Sequence, residues 1–314
     1  MEFSNSPHSK DKQKNPIREH ANKIAGKNTG NNAYNIIING RDTHIPINLP
    51  VAVIGEKGSG KTTLIKSIIE TTEHKVFNNI YFIYSPLTTD LTLPASVIRV
   101  DINECENFLM TLFESKTIFN SYIRFFKSLD FKKLQAKYEQ GKLTLDDIYQ
   151  YVDNNIIKYN KGVLYAIDSP NEKVDAIINT GEKIISKFSN SFYIGNYKIN
   201  GFKFNDRDAV IIDDIAIASK ILFKHIKDNP IYEYLTLTRH MRLFVLFAGQ
   251  QIEQIPKSVR REVMCWLLSK STNTELLKGV LSTNTINDII REQQEIGKYE
   301  FVLYNMIDGD VSRI

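Results

Sequence analysis

The sequence predicts an α/β fold: a parallel-dominated sheet flanked by helices, with a mainly helical insertion. Three observations predict it. Short, fully apolar runs of strand length alternate with longer amphipathic stretches of helical period. A glycine-rich turn joins one such strand to one such helix. The 314 residues are 42% hydrophobic and 24% charged, the balance of a chain that buries a real core. This excludes a disordered chain, a collagen-like repeat and a small disulfide scaffold. The longest apolar runs, such as residues 244–249, are too short for a bilayer. The opening Met1-Glu2-Phe3-Ser4-Asn5 carries no charged-then-apolar leader, so no secretion signal and no membrane span are expected. Two cysteines, Cys105 and Cys265, cannot make a disulfide framework and read as ordinary thiols of a reducing compartment.

The elements follow in order. Residues 1–33 form a basic tail, with Lys10, Lys12, Lys14, Arg18, Lys23 and Lys27 set against Glu2, Asp11 and Glu19. Most of the chain's net charge of +4 therefore sits there. The tail is expected to be flexible, as either a solvated end or an arm for nucleic-acid phosphates. Residues 34–314 are expected to be one domain. Asn39-Gly40 between extended runs signals a hairpin. Residues 51–54 form a buried strand, 55–60 a turn, and 62–70 a helix with Leu64, Ile65, Ile68 and Ile69 on one face. Strands are expected at 79–84 and 96–100, and a helix at 107–113. Residues 117–205 change character, rich in Lys, Asn, Tyr and Phe, and read as an insertion. Helices are expected there near 118–139, 144–158 and 171–189, then a hairpin over 193–204 turning at Asn200-Gly201. Residues 209–212 make another buried strand, followed by helices at 217–226 and 230–240 and a strand at 242–248. Beyond it, extended and helical pieces alternate up to a closing hairpin across Asp308-Gly309.

The sharpest signal is Gly55-Glu56-Lys57-Gly58-Ser59-Gly60-Lys61-Thr62, a complete G-x-x-x-x-G-K-[ST] pattern. Glycines let the backbone curl so that successive N–H groups point inward at phosphate oxygens. The helix that follows adds its positive end. The pattern places Lys61 on the β- and γ-phosphates of ATP and the Thr62 hydroxyl on Mg²⁺, with Thr63 closing the set of nucleotide contacts. Such a loop needs a second strand to hold the metal, and Val210-Ile211-Ile212-Asp213-Asp214 supplies it. A buried strand can present a carboxylate at its carboxyl end. Asp213 is assigned to Mg²⁺, and Asp214 to orienting or deprotonating the attacking water. Asp101 and Asp168 are alternatives in more broken patterns. The strand 243–248 ends in Gly249-Gln250, which brings an amide to the same edge; Gln250 is the candidate γ-phosphate contact and Gln251 its neighbour. An arginine stabilises the transition state in such reactions. Arg239, Arg260 and the loop's own Lys57 are the basic candidates.

Taken together, these residues resemble the DNA-packaging ATPases of poxviruses and other nucleocytoplasmic large DNA viruses, within the FtsK–HerA group of RecA-like P-loop NTPases. The resemblance rests on an ordered set: the loop 55–62; Ile80-Tyr81-Phe82-Ile83-Tyr84-Ser85-Pro86; Ile211-Ile212-Asp213-Asp214-Ile215; Thr238-Arg239-His240; and Gln250, Pro256 and Arg260. It covers about 50–116 and 206–314. It implies a Mg²⁺-dependent ATPase that drives double-stranded DNA into a preformed capsid as a homo-oligomeric ring. It also implies Gln250 as γ-phosphate sensor, and Arg239 or Arg260 acting across a subunit boundary. Capsid or portal-vertex proteins are the implied partners, and the host cytoplasm, in a viral factory, or the virion is the implied location. An ATP-dependent assembly switch, or a helicase or conjugation-type DNA pump, is the alternative. Residues 117–205 exceed the corresponding family stretch, and the resemblance assigns them no role.

Overall fold

The computed structural model describes residues 33–38, 41–72, 76–85, 92–155, 158–204, 206–224 and 230–314. Most of the basic tail, the Asn39-Gly40 turn and Pro86 lie outside these residues. Twelve strands are described: β1 (Ala33–Ile38), β2 (Arg41–Pro46), β3 (Pro50–Ile54), β4 (Phe77–Tyr84), β5 (Ile98–Asp101), β6 (Phe192–Ile194), β7 (Tyr197–Ile199), β8 (Arg207–Ile212), β9 (Leu243–Gly249), β10 (Cys265–Ser269), β11 (Phe301–Asn305) and β12 (Val311–Arg313). The helices are α1 (Lys61–Thr72), α2 (Cys105–Lys127), α3 (Leu129–Glu139), α4 (Leu145–Asn155), α5 (Lys158–Tyr165), α6 (Pro170–Ser189), α7 (Ile215–Leu222), α8 (Pro230–Thr236), α9 (Thr238–Met241), α10 (Lys257–Arg260) and α11 (Thr283–Glu295).

Eight strands form one sheet in the order β12-β11-β10-β3-β9-β8-β4-β5. The pairs from β10 to β5 are all parallel, and β11 and β12 close one edge antiparallel. This is the parallel-dominated, helix-flanked sheet that the sequence predicts. The central strands are buried along their whole length, which is why they read as apolar runs rather than alternations. Their side chains still divide by a period of two. Ala52, Ile54, Val210, Ile212, Val245 and Phe247 face one core, which α2 covers with Phe108, Leu109, Leu112 and Phe113. Val51, Val53, Ala209, Ile211, Phe244 and Leu246 face the other, which α1 covers with Leu64, Ile65, Ile68 and Ile69. A third cluster of Phe125, Leu134, Ile148, Val152, Leu164, Val174 and Ile177 serves the helices beyond α2.

The crossover from β5 to β8 departs from expectation in two places. Instead of helices at 107–113 and 118–139, a single helix α2 runs from Cys105 to Lys127. It breaks at Ser128, whose hydroxyl accepts from the Phe131 N–H and caps α3. The apparent gap at 115–117 arises because Lys116, polar in sequence, is buried at 3% exposure. Its ammonium pairs with the Asp208 carboxylate, itself 1% exposed. The small hairpin turns at Gly195-Asn196, where Gly195 has φ +57°, not at Asn200-Gly201. Asn200 and Gly201 instead dock the excursion on the sheet. Asn79 Nδ2 donates to the Asn200 carbonyl at 3.2 Å, and Asn78 Nδ2 donates to the Gly201 carbonyl at 3.0 Å. Gly201 also lies so close to the Ser189 carbonyl that a Cβ would collide with it. The closing hairpin pairs β11 with β12 through a turn containing Gly309 at φ +81°, as expected.

Candidate functional site

Strand β3 ends between β9 and β10, which the chain reaches only later, so a crevice opens beyond its carboxyl end. The loop 55–60 fills the mouth of that crevice. It is anchored by the Gly55 N–H donating to the Gly249 carbonyl at 3.1 Å and by a turn from the Ser59 N–H to the Glu56 carbonyl at 3.2 Å. Gly58 and Gly60 have φ of +81° and +94°, which side-chain-bearing residues rarely adopt. At Gly55 a Cβ would stand 2.5 Å from Ser59 Oγ and 2.6 Å from Ser269 Oγ. The motif's glycines are therefore required by backbone curl and by crowding. Lys61 opens α1, and its ammonium donates to the Gly55 and Glu56 carbonyls at 2.6 and 2.9 Å. It is a cation held over the loop, on bonds that a phosphate can replace. Thr62 and Thr63 follow it, exposed, on the first turn of the helix.

The two aspartates leave the same carboxyl edge of the sheet, on β8 beyond β9. Asp213 leaves β8 with its N–H donating to the Ile83 carbonyl at 3.0 Å. Its Oδ1 accepts from the Asp214 N–H at 3.1 Å. Asp214 has φ +57°, a left-handed conformation that aspartate tolerates better than most residues. It begins α7 without a side-chain cap bond, so its carboxylate is not consumed by the helix. Burial lowers the pKa of Lys61, opposed by the charges of Asp213, Asp214 and Glu56. Burial likewise raises that of Asp213, and the neighbouring Asp214 charge adds to the rise, whereas the Asp214 N–H bond and Lys61 oppose it. Lys61 and Asp213 thus each carry a desolvation cost that a bound polyphosphate and cation would offset. Thr62 and Asp213 offer hydroxyl and carboxylate oxygens, the donors that suit Mg²⁺. Among the described residues no group of three or more His, Cys, Asp or Glu gathers. A magnesium ion that takes one carboxylate, one hydroxyl and substrate oxygens fits this donor set.

The remaining candidates divide. Gln250 is exposed just past β9, beside the anchor at Gly249. Its N–H, and that of Gln251, donate to Gln254 Oε1 at 2.8 and 3.3 Å, so Gln254 shapes this turn. Arg260 is committed within its own chain: Nε donates to the Ile255 carbonyl at 2.7 Å and Nη1 to the Leu276 carbonyl at 3.4 Å. Arg239 lies on α9, just before β9, hence at the sheet edge opposite the loop. Its side chain lies outside the described residues. Asp101 caps a 3-10 turn through the Asn103 N–H. Asp168 lies among the helices of the crossover, before α6. Both cysteines are free and buried, and burial pushes the Cys105 thiol up to about 12.

Sequence reasoning missed the β10 side of the loop. Residues 56–59 and 269–271 and Lys298 enclose a cavity of about 370 Å³. Ser269 Oγ contacts Ser271 Oγ and Thr272 Oγ1 at 3.3 and 3.2 Å, and Thr272 Oγ1 donates to the Ile54 carbonyl at 3.0 Å. Buried Gln293 donates to the Ser269 and Thr272 carbonyls at 2.8 and 3.1 Å. The available signal was a serine closing an apolar strand, the counterpart of Gln250 closing β9.

No family model matches the chain, and no curated protein does. Among solved structures it is similar to the DNA-packaging ATPase B204 of Sulfolobus Turreted Icosahedral Virus, with a TM-score of 0.42, 14% identity, and 85% of this chain covered against 96% of that one. It is similar to the pCW3 conjugation coupling protein TcpA, with a TM-score of 0.46, 13% identity, and coverage of 93% and 67%. It is also similar to the cytoplasmic domain of the Thermomonospora curvata Type VII secretion ATPase EccC, with a TM-score of 0.45, 10% identity, and coverage of 90% and 28%. At such identities the activities of these proteins do not transfer to this chain.

Proposed function

We propose that this chain is a Mg²⁺-dependent ATPase that moves double-stranded DNA as a ring of identical subunits, packaging a viral genome into a preformed capsid. One observation carries the ATPase reading: the loop with Lys61 leaves β3, and Asp213 and Asp214 leave β8, at the same carboxyl edge of parallel strands separated only by β9. In this reading the loop N–H groups and Lys61 hold the β- and γ-phosphates. Thr62 and Asp213 hold Mg²⁺, which would neutralise developing charge on the phosphates. Asp214 aligns the attacking water and takes up its proton, and Gln250 contacts the γ-phosphate. Membership among the packaging ATPases of large DNA viruses rests on the ordered motif set and belongs to the same proposal.

The arginine that completes the site comes from another subunit. Arg239 precedes a strand of seven residues whose far end meets the loop. At about 3.3 Å per residue that is roughly 20 Å, too far to serve its own nucleotide. Arg260 is held by its own carbonyls. Arg239 is therefore the stronger choice for a contact in trans. The ATPase rate per chain should rise with protein concentration and rise again with duplex DNA, by a factor of about 10 or more. Steady-state phosphate release against both variables checks this. A rate independent of concentration contradicts the ring, and indifference to duplex DNA leaves an ATP-driven assembly switch instead. Strand separation would identify a helicase.

A further inference from the structure

The flank of the loop nearer β10 differs chemically from the flank facing Asp213 and Asp214. It holds the 370 Å³ cavity, the hydroxyls of Ser59, Ser269 and Ser271, and the amine of Lys298. Ser59 is 5% exposed, and its Oγ has no hydrogen-bond partner among the described residues. A buried hydroxyl left unmatched is costly unless a ligand meets it. Beside the cavity stands Tyr299. It is 63% exposed, yet its ring lies along the loop: a Cβ on Gly60 would be 3.5 Å from Tyr299 Cδ1. The Lys298 ammonium sits 5.3 Å from the centre of that ring.

The segment carrying this ring is held in place. Lys270 Nζ donates to the carbonyls of Gln294 and Ile296 at 3.3 and 3.0 Å. The Gly297 N–H donates to Glu300 Oε2 at 2.7 Å and closes a tight turn over 297–300. An exposed aromatic ring on a fixed turn, against the last glycine of a phosphate loop, is placed to receive a flat π-surface.

We propose that this flank holds the nucleoside of the bound nucleotide. The base stacks on Tyr299, and Ser59, Ser271 and Lys298 meet the ribose and α-phosphate within the cavity. The inference rests on the nucleotide-binding reading above and deepens it. Polarity favours this direction. The terminal phosphate and its cation lie at the acidic flank, so the nucleoside leaves by the flank that bears lysines and hydroxyls. Stacking alone accounts for roughly a tenfold gain in affinity.

The test is calorimetric titration of the full chain with ATP and, separately, with inorganic tripolyphosphate. Tyr299→Ala should weaken ATP binding about tenfold and leave tripolyphosphate binding unchanged, while Tyr299→Phe binds both as the native chain does. Equal ATP affinity in Tyr299→Ala overturns the proposal. So does an equal loss of both ligands, which would make the ring a prop for the loop. Lys61→Ala separates this from the underlying reading. If it loses tripolyphosphate while Tyr299→Ala keeps ATP, the phosphate loop stands and only the nucleoside assignment falls. A native chain that binds neither ligand overturns both.

Discussion

Replacing Lys61 with Ala should reduce ATP turnover at least about hundredfold while leaving the fold intact. The lysine's bonds go only to the Gly55 and Glu56 carbonyls at the mouth of the crevice, so its loss removes no part of either core. What is lost is an ammonium held over the loop on the Gly55 and Glu56 carbonyls. Phosphoryl transfer spreads charge over the γ-phosphoryl oxygens, and a cation placed there beforehand acts without reorganising at the moment of reaction. The sign of the pH effect follows from burial. The Lys61 pKa lies below the ordinary lysine value because desolvation outweighs the nearby carboxylates. Its charge, and the ATP affinity depending on it, should therefore fall at a lower alkaline pH than a free lysine would allow. Thermal melts and phosphate release on the same sample separate the outcomes. A folded Lys61→Ala chain with native turnover would refute the site.

Lys116→Met should cost about 3–5 kcal/mol of stability. The residue reads as a surface lysine, yet it is buried with Asp208, and the carboxylate also accepts the Asn79 N–H at 3.1 Å and its side-chain amide at 3.0 Å. Removing one partner leaves a buried charge on the other, which costs far more than the pair's net worth. Replacing both, as Lys116→Met with Asp208→Leu, should recover much of the loss. Denaturant unfolding of the three variants checks this, and a single-mutant penalty under about 1 kcal/mol would contradict it. The effect bears on function as well. Asp208 is the second residue of β8 and Asp213 follows its end, so the pair ties helix α2 to the strand that presents Asp213 and Asp214.

The sheet around the glycine loop is largely legible in the sequence because its signals are local. Apolar runs such as 51–54 and 209–212 must be buried strands, and the glycine pattern of 55–60 requires a curled backbone. The phosphate loop and the Asp213-Asp214 turn follow directly. The crossover is less legible because its deciding interactions are long-range. Lys116 looks like a break in a helix until Asp208 is seen beside it. Asn200-Gly201 is a strong turn signal that is used instead for close docking against Ser189 and the two asparagines of β4. Gln293 satisfies the carbonyls of Ser269 and Thr272, distant in sequence, and no periodicity marks such a residue. Tyr299 escapes notice because an exposed tyrosine near the end of a chain is unremarkable until the loop is folded beside it.

The most direct test of the central claim is a calorimetric titration of ATP, with and without Mg²⁺, into the native chain and Asp213→Asn. One saturable site per chain is expected, tightened by Mg²⁺ in the native protein, with that tightening lost in the variant. No saturable ATP binding by the folded native chain, or the same Mg²⁺ dependence after Asp213→Asn, would contradict it.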